Sequence, residues 1–126
     1  MSPAGPETDL LSSRRATMLV YWLPPLAIVA SGFLGVGGLT VTVIWTMSFT
    51  IMGVVCVINA LRCGRMHCYF MGPFLLLLGV GSLLHGLGAV FLGPNGWQWL
   101  GGIAVAGAAF LMVVPERMWG RYARRR

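Results

Sequence analysis

The densest chemistry in the chain lies in one short stretch, Arg62-Cys63-Gly64-Arg65-Met66-His67-Cys68-Tyr69. Two thiols and an imidazole this close together are soft ligands suited to zinc, copper(I) or mercury(II). A helix running through the stretch puts Cys63 and His67 one turn apart on one face. A helix that stops at Gly64 instead lets the loop fold both sulfurs onto one ion. Cys56 precedes Cys63 by two helical turns, so it shares that face about 10 Å deeper, at 1.5 Å per residue. Asn59 falls between them, and Cys56, Asn59 and Cys63 read as a ladder down which a thiophilic ion could pass. The candidate metal ligands are therefore Cys63, His67 and Cys68, with Cys56 as a relay.

A structural role accounts for the same residues differently. Cysteine is an ordinary small apolar residue in membrane helices, and the arginines also report topology. Other chemistry is sparse. His85 sits past the midpoint of an apolar run, where an ionisable residue is either functional or hydrogen-bonded across helices. The acids are Glu7, Asp9 and Glu116, all outside the apolar runs. No carboxylate shares a compartment with a Ser/His pair, so hydrolysis has no support and the chain is not read as an enzyme.

The elements that must hold these residues are set by lipid. Of 126 residues 57% are hydrophobic and 10% charged, against about 25% charged in a soluble domain. The chain is expected to be an all-α membrane protein with four transmembrane helices at about 17–34, 39–61, 70–92 and 97–114. Residues 1–16 form an N-terminal tail and 115–126 a basic C-terminal one. Barrel strands are excluded because the runs are too long and do not alternate. Pro24 and Pro25 should kink the first helix or make it begin afresh.

All nine basic residues are arginines: Arg14, Arg15, Arg62, Arg65, Arg117, Arg121, Arg124, Arg125 and Arg126. They fall in the two tails and the middle loop, and the turns after the first and third runs have none. The positive-inside rule then puts both termini and the middle loop in the cytoplasm, with the chain multi-pass in its membrane. Charge this segregated argues against a nucleic-acid partner; the partner is the lipid bilayer. Thiols on the reducing side disfavour a structural disulfide. A cleavable export signal ending near Ala30-Ser31-Gly32 is the alternative for the first run, although its prolines suit such a signal badly.

Small residues bring helices together in lipid. Gly79, Ser82 and Gly86 in the third run, and Gly101, Gly102, Ala104, Ala106, Gly107, Ala108 and Ala109 in the fourth, predict that these two pack as a tight hairpin. The same faces could serve a homo-oligomer or a larger membrane complex.

The string Asn59-Ala60-Leu61-Arg62-Cys63-Gly64-Arg65-Met66-His67-Cys68-Tyr69-Phe70, followed by Gly72-Pro73-Phe74, resembles a signature of small bacterial multi-pass membrane proteins. More loosely, thiols in and beside a span are similar to those of bacterial mercury-resistance transporters. That likeness implies soft-metal handling but no residue roles, because the vicinal cysteine pair of their first span has no counterpart here. The four-span layout also looks like the small multidrug exporters, whose coupling glutamate in the first span is missing. Two functions are expected from these readings. One is binding or transport of a soft metal ion by the Cys/His cluster; the other is a structural or assembly subunit without chemistry of its own.

Overall fold

The computed structural model describes residues 12–120; the rest of the expected N-terminal tail and the arginines from Arg121 onward lie outside the described residues. Among the described residues the ordered elements are all helices. Four are long and apolar enough to cross a membrane: α1 (Arg14–Phe33), α2 (Gly38–Cys63), α3 (Met66–Gly86) and α4 (Gly96–Trp119).

Ser13 starts α1 by accepting a hydrogen bond from the Ala16 amide at 3.1 Å, the usual work of an N-cap side chain. Met18–Trp22 then forms a wide π-helical turn, and α-helix resumes at Leu23 with Pro24 in its first turn. The helix thus begins afresh at the prolines, where a missing N–H costs least. Beyond Phe33 the chain reverses in a Schellman turn: Val36 N–H bonds the Ser31 carbonyl and Gly35 N–H the Gly32 carbonyl. Gly35 supplies the left-handed φ of 62° that this motif needs.

The thiol-bearing loop is much shorter than its sequence implies. α2 runs to Cys63, Gly64 turns the chain at φ 70°, and α3 begins at Met66. His67 and Cys68 therefore stand in the first turn of α3. A residue with a Cβ at Gly64 pays roughly 1–2 kcal/mol for the left-handed conformation. Gly64→Ala should accordingly lower the unfolding midpoint in detergent. Gly102→Ala, in an open helix interior with nothing within 4 Å, should leave it unchanged or raise it slightly.

The tightest pairing joins α2 and α3; the third and fourth runs also pack together through small residues, with Gly107 against Phe74 and Gly81 against Leu100, but more loosely than expected. Gly72 lies against Val57 and Gly86 against Thr42, so near that a Cβ at either would clash. In the most apolar window of each helix, 44% of residues are buried in α2 and in α3, against 11% in α1 and 6% in α4. The outer two helices flank a central pair. The core accordingly consists of Val41, Trp45, Phe49, Cys56 and Ala60 from α2 and Cys68, Met71, Leu75 and Leu78 from α3, with Leu100 from α4.

Candidate functional site

All four helices converge beside the two-residue turn between α2 and α3. On α2, Cys56, Asn59 and Cys63 follow helical spacing along one face, and all three are fully buried. On α3, Cys68 and His67 are neighbours, so the helix turns Cys68 towards α2 and His67 towards the flanking helices. The Cys68 sulfur accepts from Asn59 Nδ2 at 3.7 Å. Cys56 lies in the same buried core as Cys68. All three cysteines are free thiols.

His67 ties the flanking helices to this core. Its Nε2 is 2.9 Å from the Tyr21 hydroxyl and its Nδ1 is 2.6 Å from Glu116 Oε1 of α4. Arg65 Nε stands 3.6 Å from the same carboxylate oxygen. With Nδ1–H donating to the carboxylate and the Tyr21 O–H donating to Nε2, both ring nitrogens of a neutral imidazole are satisfied. Asn59 Nδ2–H donates to the Cys68 sulfur, and the Tyr21 O–H donates to His67 Nε2, whose Nδ1–H faces Glu116. A buried polar network of this kind is stable only when its members are paired.

The structure brings Cys56, His67 and Cys68 into one cluster. Cys63 uses its thiol on the Asn59 carbonyl one turn back along its own helix, at 3.1 Å. Among the described residues no group of three or more His, Cys, Asp or Glu side chains is arranged to hold a metal ion. The four sequence candidates thus do not form a closed zinc-type shell, because two of them have other partners.

Sequence reasoning missed Tyr21, Glu116 and the pairing role of Arg65. Tyr21 reads as an interface aromatic, and Glu116 as an acid outside the bilayer. A carboxylate does share the site of His67 after all. One signal for it was available: Glu116 is the single acid beyond Asp9 and stands at the arginine-bearing end. His85 takes a different place from the one its run implied. α3 ends at Gly86, so His85 caps the opposite end of the bundle, its Nδ1 3.3 Å from the Val90 carbonyl and its ring edge-on to Trp97 at 5.1 Å. No family model, curated protein or solved structure matches the chain.

Proposed function

We propose that this is a multi-pass protein of the bacterial inner membrane, both termini cytoplasmic, which binds a soft metal ion through thiols at the cytoplasmic end of its bundle. It handles the ion as a binding or transport protein and catalyses no reaction. The observation that carries the reading is that Cys56 and Cys68, from different helices, are wholly buried in one packed core. Thiolates are the ligands soft ions select, and burial removes competition from water.

The orientation follows from charge. Arg14, Arg15, Arg62, Arg65 and Arg117 flank the end where Tyr21, His67 and Glu116 meet, and the links at the other end carry no arginine. Asn95→Cys should be labelled by an impermeant maleimide added from the periplasmic side, and Ser12→Cys only after lysis. The buried native thiols give little background. The reverse pattern would overturn the orientation.

The metal reading is tested on protein purified in detergent under reducing conditions and offered copper(I), mercury(II) or zinc(II) separately. Retention of about one ion per chain, lost in both Cys56→Ser and Cys68→Ser, is expected. No retention of any of the three, in protein whose helical content is intact, sinks it.

A second reading, a structural or assembly subunit, is favoured by a separate feature. α1 and α4 leave between them a membrane-facing groove of ≈ 650 Å³, lined by Pro25, Phe33, Trp45, Phe49, Gly101 and Ala104 among others. If the thiols prove dispensable and a bulky residue at Ala104, in the groove, releases the protein from a larger complex, this reading stands instead.

A further inference from the structure

The hydrogen bonds of His67 to Tyr21 and Glu116 draw α1 and α4 onto the central pair at one end of the bundle. In the other half the two flanking helices stand apart and leave the groove of ≈ 650 Å³ between them. Pro25, Met52, Leu75 and Ala108 mark its inner limit, and each stands near the middle of its own helix. Phe33 and Gly101 lie towards its other end. α4 already rests on the floor, since a Cβ at Gly101 would lie 3.3 Å from Trp45 Cη2, and Ile28 of α1 packs against the same core. The walls therefore cannot close over the groove, and volume left empty there forfeits packing contacts.

Independently of the metal-binding reading, we propose that this groove holds the acyl tail of one phospholipid, taken from the leaflet opposite the His67 end. Its lining selects hydrocarbon. Among the described residues no charged side chain borders it. The Trp45 indole N–H is spent at 3.1 Å on Ser31 Oγ, which itself donates to the Ile28 carbonyl at 2.7 Å. Nothing there can hold a headgroup. Small-molecule sites measure about 300–1,000 Å³, so the volume suits a ligand of this size. The depth suits it too, because a groove from helix end to mid-helix spans about half of a ~30 Å hydrocarbon core. A tail can lie in it while its headgroup stays at the surface, where Trp97 and Trp99 begin α4. A partner helix fits poorly. The floor from Trp45 to Met52 is only about 10 Å long at 1.5 Å per residue, or about two helical turns. A stable protein interface takes about 800 Å² from each partner, which a strip of that length cannot supply.

The test reconstitutes the full chain in vesicles containing a phospholipid with a photoreactive diazirine midway along one acyl tail, then extracts it in mild detergent. Native mass spectrometry counts the lipid retained, and irradiation identifies the peptides it touches. About one lipid per chain is expected, with cross-links on Phe33, Met52 and Val105 of the groove. Val29 and Val105 line the groove yet are 53% and 73% exposed, so Val29→Trp and Val105→Trp fill it without disturbing the core. In both, the lipid retained should fall about tenfold while helical content stays at the wild-type level. Ala106→Trp, exposed and outside the groove, should retain lipid as wild type does. Equal retention in all three variants, or cross-links spread evenly over the exposed faces, would identify ordinary surrounding lipid and overturn the proposal. A protein occupant overturns it as well. The chain would then run as a dimer or larger complex that Val105→Trp disperses, and the assembly reading would gain instead.

Discussion

His67→Ala is expected to destabilise the protein by ~2–3 kcal/mol, the largest effect of any single truncation at the site. The imidazole is almost wholly buried and bonded at both nitrogens. Its loss strands the Tyr21 hydroxyl and takes from Glu116 its nearest partner, and an abandoned buried polar group costs more than the bond itself was worth. The Glu116 side chain is 28% exposed and keeps Arg65 at 3.6 Å, which holds the cost below that of a fully buried pair. Tyr21→Phe should cost only about 1 kcal/mol, since it removes a single neutral bond and leaves the ring in place. His67 anchors both flanking helices, so the loss should appear first as mobility of α1 and α4, ahead of the α2–α3 pair. Reversible unfolding in mixed detergent micelles gives the magnitude, and hydrogen exchange gives the order. The double mutant His67→Ala/Glu116→Gln should be less destabilised than the sum of its parts, as expected for coupled residues. A wild-type midpoint for His67→Ala, with uniform exchange across the helices, would mean that the clasp contributes nothing.

Gly72→Leu should be still more damaging to assembly of the bundle. A Cβ placed at Gly72 falls 2.6 Å from Val57 Cγ2 and 3.1 Å from the Val57 backbone nitrogen. The side chain could rotate away, but the backbone atom can move only if α2 and α3 separate. Overpacking a close contact of this kind costs ~1–3 kcal/mol or more. In lipid no hydrophobic force holds the helices together once close packing is lost. The expected result is a large fall in the folded yield recovered in detergent. Gly102→Leu should be recovered at wild-type levels because nothing lies within 4 Å of that position. Equal recovery of the two variants would count against the α2–α3 hairpin as the structural centre.

The contrast between these two glycines shows where reading the sequence stops. Small residues are densest in α4, which predicts that α4 packs tightly, yet Val105 in the middle of that row is 73% exposed. In water, hydropathy separates the inside of a protein from its outside. In lipid both surroundings are apolar, so composition marks a span without saying which face meets a neighbour. The three cysteines and His67 were identifiable as the chemical residues by type and spacing alone. That Cys68 turns to Asn59 of α2, while Cys63 turns to its own helix, depends on how α3 rotates after the Gly64 turn.

What the residues determined by themselves is the number of helices, the gathering of arginines at alternate connections and the identity of the thiol-bearing segment. Each follows from local composition acting on a chain whose backbone must be hydrogen-bonded within lipid. Only the tertiary structure decided that Tyr21, His67 and Glu116 share one site. α3 begins at Met66, four residues before its apolar run, and α4 continues to Trp119, beyond its own. Those few residues of extra helix carry the imidazole and the carboxylate from expected solvent into contact. Polar helix ends cannot reveal this in sequence, because their reason for being helical is the partner they meet across the bundle.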